Sequence, residues 1–285
     1  MSLLNSKETQ IGELNQKLFR LLSVYLNVAS DYVSKEMIEA ITRGDTSGDE
    51  FAFANIVASA CGLDIYDSDQ DKLFFRKHFL PCFSKLHTDD YAKNPYYSNI
   101  KFPKDSNGNW SFLTKAYKPY EAFVFDDPKV CFDGRIEPRI GFFDKEFRYP
   151  AVLENGREWM TITPNEINTI APAISSAHGN ALTFGLGLGY FVYMSALKSD
   201  VNTVTVIEKS REVIDLFEKS ILPQFPDPSK VIIIEADAFD YAENHMRSGG
   251  FDSVFVDIWH DPSDGCSLYL RMKQYEHLLP RANFD

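Results

Sequence analysis

A short apolar strand that runs into three alternating glycines decides the fold of this chain: Ala181-Leu182-Thr183-Phe184-Gly185-Leu186-Gly187-Leu188-Gly189-Tyr190. Glycine tolerates the positive φ angles of a tight turn and lets a ligand approach the backbone closely. A helix beginning at Tyr190 would present free N–H groups to polar ligand atoms. The stretch therefore predicts a strand, a ligand-binding loop and a helix, in that order.

Strands and helices alternate through the rest of the C-terminal region. Further strands are predicted at 201–207, 231–234 and 253–257. Their near-continuous valine and isoleucine runs are typical of parallel strands covered on both faces by helices. Residues 166–285 are therefore predicted to form an α/β fold, a doubly wound Rossmann-like sheet shortened at its C-terminal end. Either strands from residues 121–163 complete this sheet, or the domain is short.

Two regions of different amino-acid composition precede the sheet. Residues 1–90 carry apolar side chains at helical spacing, which predicts a helical region whose last helix covers 69–86. Residues 91–165 are rich in aromatic residues interleaved with Pro, Gly, Asn and Asp. They predict a small antiparallel β region with a hairpin turn at Asn155-Gly156.

Acidic side chains follow three of the predicted strands. Glu208 ends the second strand, Asp237 the third and Asp257 the fourth. Ligands of open α/β sheets bind at the carboxyl edge, so these acids are expected to lie beside the glycines. Taken singly, Glu208 and Asp237 have an alternative role as caps of the helices that follow them.

The G-x-G-x-G spacing resembles that of the class I S-adenosylmethionine-dependent methyltransferases. A dinucleotide fingerprint would need glycine where Tyr190 stands. The resemblance implies a methyltransferase sheet that binds S-adenosylmethionine, with the glycines beside the methionine part, one acid on the ribose and another reading adenine. The cofactor-binding residues that it implies are Gly185, Gly187, Gly189, Glu208, Asp237 and Ala238.

The segment after the fourth strand, Asp257-Ile258-Trp259-His260-Asp261-Pro262, resembles the Asp-x-x-Asp-Pro motif of spermidine synthases, with one extra residue between the acids. That family uses two carboxylates to steer and deprotonate an amine. The resemblance implies catalytic roles for Asp257 and Asp261. Trp259 and His260 are candidate substrate-binding residues, Trp259 through an apolar or cation–π contact.

Three functions stay open at this point. The first is an S-adenosylmethionine-dependent methyltransferase acting on a small molecule or a protein. The second is a polyamine aminopropyltransferase that uses decarboxylated S-adenosylmethionine. The third is a non-catalytic nucleoside-binding scaffold, which is favoured by the short sheet and by Thr183, where many methyltransferases carry an acid.

The charge of the chain narrows the class of ligand. Acidic residues number 41 and basic residues 29, and the balance is −3 over residues 1–150 and −9 over 151–285. This excess disfavours nucleic acid and suits a cationic or neutral substrate.

The four cysteines lack metal-ligand spacing, so no metal site is expected. No apolar run is long enough to span a bilayer and the start lacks a secretory signal, so a cytoplasmic location is expected; homo-oligomerisation stays open.

Overall fold

The computed structural model describes residues 2–43, 48–259 and 262–285. The chain forms two compact units, Met1–Tyr91 with Ala116–Arg148, and Ala92–Lys115 with Tyr149–Asp285. The division of the chain at residues 90 and 165 stays a prediction. Within the described ranges, no helix has the length and apolar character that crossing a membrane requires.

Helices and strands follow one another along the whole chain. The helices are α1 (Ser2–Ala29), α2 (Lys35–Thr42), α3 (Asp49–Ala60), α4 (Asp69–Phe74), α5 (Thr88–Ala92), α6 (Pro95–Asn99), α7 (Pro164–Ser176), α8 (Tyr190–Ala196), α9 (Arg211–Ser220), α10 (Ala238–Asn244) and α11 (Pro262–Lys273). The strands are β1 (Phe83–Leu86), β2 (Ser106–Asn107), β3 (Trp110–Tyr117), β4 (Phe123–Val130), β5 (Ile136–Phe143), β6 (Phe147–Glu154), β7 (Arg157–Thr161), β8 (Gly179–Phe184), β9 (Val201–Glu208), β10 (Val231–Glu235), β11 (Ser253–Val256) and β12 (Asn283–Phe284).

The first unit packs helices against a three-stranded sheet of order β1-β5-β4. Strand β1 is parallel to β5, and β4 is antiparallel to it. Leu18 and Leu22 of α1 are buried in its core. That core is aromatic, and Phe53 of α3 stacks on Phe142 of β5 with ring centroids 4.0 Å apart. The candidate site residues that the structure describes all belong to the second unit.

The helix predicted over residues 69–86 is wrong from Phe83 onward, because the chain is helical only as far as Cys82. A wide helical turn and a 3₁₀ turn follow α4, and the chain then becomes strand β1, in which Phe83 pairs with Ile140. Pro81 lacks an N–H to continue a helix. Pairing with β5 satisfies the backbone groups that the helix would otherwise have satisfied.

The second unit contains a sheet of five parallel strands in the order β10-β9-β8-β11-β12. Strand β8, the first of these five along the chain, lies in the middle of the sheet. Strands β9 and β10 are added on one side of β8, and β11 and β12 on the other, so the strand order changes side between β8 and β11. Buried side chains of β8 alternate between two cores: Ala181 packs with residues of α7, α8 and α9, and Leu182 and Phe184 with residues of α10 and α11. The predicted doubly wound α/β fold is confirmed, and its ligand crevice is expected at the β8–β11 switch point.

Strands from residues 121–163 do not complete the parallel sheet, so that explanation is wrong. Strands β4 and β5 pair with β1, while β6 and β7 belong to a sheet of order β2-β3-β6-β7. A short turn forces β6 and β7 into an antiparallel hairpin, and Asn155 and Gly156 have the positive φ angles, 52° and 76°, that such a turn requires. The parallel sheet instead gains β12, whose Asn283 pairs with Ser253 of β11.

A lysine side chain caps helix α7 of the second unit. The Lys198 Nζ donates to the carbonyl oxygens of Ile174 (3.1 Å), Ser175 (2.8 Å) and Ala177 at the end of α7. A cation stabilises these unpaired carbonyl groups and the negative end of the helix dipole. We expect Lys198→Met to lower the free energy of unfolding by about 1–2 kcal/mol in urea titrations. Lys104→Met, at an exposed position, is the control and is expected to change it little; equal losses would contradict the capping role.

Candidate functional site

The three glycine positions of the loop between β8 and α8 have no room for side chains. Gly185, Gly187 and Gly189 have φ angles of 95°, 50° and 74°. A Cβ atom at Gly185 would lie 2.0 Å from the Asp257 carbonyl oxygen, and one at Gly187 would lie 2.2 Å from the Met160 Sδ. The predicted loop therefore turns tightly, with β7 on one side of it and the end of β11 on another.

Glu208 lies at the end of β9 and is held beside this loop. Its Oε2 accepts a hydrogen bond from the Leu186 N–H at 3.1 Å, and its Oε1 accepts one from the Ser210 N–H at 2.8 Å. The side chain is half-buried. Each carboxylate oxygen keeps a free lone pair, so this fixed carboxylate can accept two hydroxyl hydrogen bonds from a ligand.

Asp237 caps the helix that follows β10. Its Oδ1 accepts hydrogen bonds from the Phe239 N–H (2.8 Å) and the Asp240 N–H (3.1 Å), and the side chain is exposed. Ala238, half-buried, begins α10. Because Glu235 pairs in register with Glu208, β10 delivers Asp237 to the same edge of the sheet as Glu208. Asp237 therefore has the helix-capping role that the sequence analysis gave as an alternative. A contact of Asp237 with a ligand stays a prediction.

Asp257 follows β11 and interacts electrostatically with a second acid that sequence reasoning missed, Glu166 in the first turn of α7. The Asp257 N–H donates to the Phe184 carbonyl oxygen at 2.9 Å, which fixes this segment against the end of β8. Burial raises the pKa of Asp257 to about 6. Burial and then the negative charge of Asp257 raise the pKa of Glu166 to about 8. At neutral pH the pair therefore carries about one negative charge rather than two.

Tyr190, the first residue of α8, completes this group. Its hydroxyl oxygen accepts a hydrogen bond from the Asn94 Nδ2 at 2.8 Å. Burial raises the pKa of Tyr190, and the charge of Glu166 adds to the rise. Tyr96 packs edge-on against Tyr190, and its hydroxyl donates to the Leu188 carbonyl oxygen. Residues 94–96 therefore help to fix the glycine loop. The sequence analysis recognised this segment only as rich in aromatic residues and assigned it no role at the site.

The remaining predicted residues follow Asp257. Trp259 is half-buried and lies edge-on to Tyr269 of α11, with ring centroids 6.2 Å apart. It also contacts Gly265 of the same helix, where a Cβ atom would lie 3.1 Å from the Trp259 Cγ. The substrate contact of Trp259 stays a prediction. His260 and Asp261 lie outside the residues that the structure describes. Across the described part of the chain, no group of three His, Cys, Asp or Glu side chains is arranged to hold a metal ion.

Comparisons with known proteins find likeness in structure alone. No family model matches the sequence, and no curated protein matches it. Solved structures that resemble the chain include a candidate O-methyltransferase from Klebsiella pneumoniae (18% identity, 40% of this chain and 48% of that chain, TM-score 0.30). A spermidine synthase in complex with the transition-state analogue AdoDATO matches with 17% identity over 48% of this chain and 51% of that chain, at a TM-score of 0.34.

A third match is a protein-L-isoaspartate O-methyltransferase, with 14% identity over 73% of this chain and 48% of that chain and a TM-score of 0.30. The matches span about half the length of these solved chains. The Rossmann-like character of the fold rests on the strand order and connections of the parallel sheet itself.

Proposed function

We propose that this protein is a transferase that binds S-adenosylmethionine and alkylates a small-molecule or protein acceptor, with methyl transfer as the reaction. The observation that carries the proposal is the carboxylate of Glu208, which two backbone N–H groups hold beside a loop whose glycine positions leave no space for a Cβ atom. A nucleoside needs a close approach to backbone and an acceptor pair for its ribose hydroxyls. Both are present, so the residues fit the cofactor.

Each residue of the site has a definite part in this proposal. Gly185, Gly187 and Gly189 would lie against the methionine part of the cofactor, Glu208 would accept the ribose hydroxyls, and Asp237 with Ala238 would border the adenine. When bound, the cofactor supplies a carbon that its sulfonium group makes electrophilic. The protein then has to orient the acceptor, exclude water and receive the proton of the nucleophile. Asp257 is the described side chain suited to receive that proton, because its raised pKa of about 6 lies close to neutrality.

Glu208→Gln tests the proposal through binding. The amide keeps one acceptor oxygen but sets an NH₂ group against a backbone N–H, so a ligand loses an acceptor pair. In calorimetric titrations with S-adenosylhomocysteine we expect the affinity to fall about 10- to 100-fold, as for loss of one or two charge-assisted hydrogen bonds. Glu218→Gln, at an exposed position of α9, is the matched control and should bind like the wild type. A wild-type protein that binds neither S-adenosylmethionine nor S-adenosylhomocysteine would refute the proposal.

A polyamine aminopropyltransferase is the second candidate. The observation that favours it is the pair of half-buried carboxyl groups, Glu166 and Asp257, since an amine nucleophile has to be held and deprotonated. Calorimetry with decarboxylated S-adenosylmethionine separates the two candidates. Binding of the decarboxylated form at least about tenfold tighter than S-adenosylmethionine would select the aminopropyltransferase, and the reverse order the methyltransferase.

A further inference from the structure

The end of the glycine loop is hydrogen-bonded to helix α6 and to the residue before it. The Tyr96 hydroxyl donates to the Leu188 carbonyl oxygen, which lies inside the loop. Asn94 donates from its Nδ2 to the Tyr190 hydroxyl at 2.8 Å. The Asn94 Oδ1 accepts from the Tyr96 N–H at 3.0 Å, so the same side chain also caps α6. One short segment therefore fixes both the last part of the loop and the first residue of α8.

Tyr96 is packed so that its hydroxyl stays on the loop. The side chain is 1% exposed, and its ring lies edge-on to those of Tyr190 and Tyr193, with centroids 5.3 Å and 5.5 Å away. Burial raises the pKa of Tyr96 well above its ordinary value, so the hydroxyl keeps its proton and remains a donor. Leu188 is buried as well, and within the described part of the chain no other group donates to its carbonyl oxygen. Without the hydroxyl this buried carbonyl would be unpaired.

A different group fixes the opposite end of the loop. The Leu186 N–H donates to the Glu208 Oε2 at 3.1 Å. Between the two ends, the Gly189 N–H donates to the Leu186 carbonyl oxygen at 2.8 Å and closes a tight turn. The end of β9 therefore holds one side of this turn, and α6 holds the other. We expect loss of the Tyr96 hydroxyl to shift Leu188 without releasing Leu186 from Glu208.

We propose that Tyr96 is a positioning residue for the amino-acid part of the cofactor. This inference rests on the proposed function, which places the ribose on Glu208 and the methionine part along the glycines. The ribose depends on the side of the turn that β9 holds, whereas the methionine part also depends on the side that α6 holds. Tyr96 acts through the Leu188 carbonyl group, by setting the shape of the loop, rather than through a contact of its own with the ligand.

Two related nucleosides distinguish this role from general support of the fold. The probes are S-adenosylhomocysteine and 5′-methylthioadenosine, which has the same adenosine and sulfur but a methyl group in place of the amino-acid part. In calorimetric titrations of the full chain, we expect Tyr96→Phe to weaken binding of S-adenosylhomocysteine about five- to tenfold, as for loss of one hydrogen bond. Binding of 5′-methylthioadenosine should change less than about twofold. Glu208→Gln, on the ribose, should weaken binding of both nucleosides.

Tyr97→Phe is the matched control. The Tyr97 hydroxyl donates to the Ile162 carbonyl oxygen, so this variant loses the same kind of hydrogen bond from the next residue of α6. It should bind both nucleosides like the wild type, and urea unfolding checks that both tyrosine variants are folded.

Three results would overturn the proposal: unchanged binding of S-adenosylhomocysteine in Tyr96→Phe, equal weakening of both nucleosides in that variant, or the same selective loss in Tyr97→Phe. A wild type that binds the two nucleosides equally well would also overturn it, since the amino-acid part would then contribute nothing to binding. A wild type that binds neither nucleoside overturns the proposed function instead, so the two failures are distinguishable.

Discussion

Gly185→Ala is expected to abolish binding of S-adenosylhomocysteine and to lower the free energy of unfolding by about 3 kcal/mol. Two costs combine at this position. The φ angle of 95° is one that alanine rarely adopts, and the new Cβ would lie 2.0 Å from the Asp257 carbonyl oxygen. That oxygen belongs to the backbone and cannot rotate away, so the loop or the end of β11 has to move. Urea unfolding and calorimetric titration measure the two effects.

Gly250→Ala separates the two costs. Gly250 has a φ angle of 65°, but a Cβ atom there would meet no atom within 4 Å. We expect it to lose only about 1 kcal/mol of stability and to bind the nucleoside normally. If Gly185→Ala bound the nucleoside as Gly250→Ala does, the close packing of Asp257 on the loop would have no role in binding.

Glu166→Gln is expected to make the protein more stable at alkaline pH. Glu166 has its pKa raised to about 8 in the folded protein, well above the value of 4.5 of an exposed glutamate. The folded state therefore holds more protons than the unfolded state between these values, and the wild type loses stability as the pH rises through about 8. Glutamine stays neutral, so we expect the variant to be more stable by about 1–3 kcal/mol near pH 9 and to differ little near pH 5.

Urea unfolding at a series of pH values measures this difference. Asp257→Asn should show the same trend at lower pH, because burial raises the pKa of Asp257 only to about 6. Glu243→Gln, whose side chain is exposed, should follow the wild type throughout. A Glu166→Gln curve parallel to that of the wild type from about pH 5 to pH 9 would mean that the Glu166 carboxyl ionises as readily in the folded state as in the unfolded state.

The parallel sheet could be predicted because its signals are local. Runs of β-branched residues separated by helices allow few topologies, and the glycine loop marks the first strand. The predicted strands begin or end within about two residues of β8, β9, β10 and β11. The location of Glu208 at the carboxyl edge of the sheet could also be predicted, since an acid at the end of a strand is located once the strand itself is identified. Its hydrogen bond to the Leu186 N–H supports the predicted placement beside the loop.

The acid pair could not be predicted, because its members meet through long-range packing. Glu166 belongs to a local capping pattern, and nothing near it in the sequence indicates Asp257. Asn94 and Tyr96 contact Tyr190 and Leu188, which lie 96 and 92 positions further along the chain. Such contacts depend on the tertiary packing that places residues near the antiparallel sheet beside the glycine loop. Hydrophobic periodicity and motif spacing do not predict that packing. The helix predicted to reach residue 86 failed for a related reason, since β1 forms only by pairing with β5.

The position of Met160 against Gly187 limits how this protein can be trimmed. The thioether occupies the space where a side chain at Gly187 would lie, so β7 shapes the glycine loop from outside the parallel sheet. A fragment that began at α7 would keep all five parallel strands and lose this cover. A minimal version has to retain Ala92–Lys115 with Tyr149–Asp285. Because Ala116–Arg148 separates these segments, engineering such a version calls for a linker in its place rather than a cut at one end.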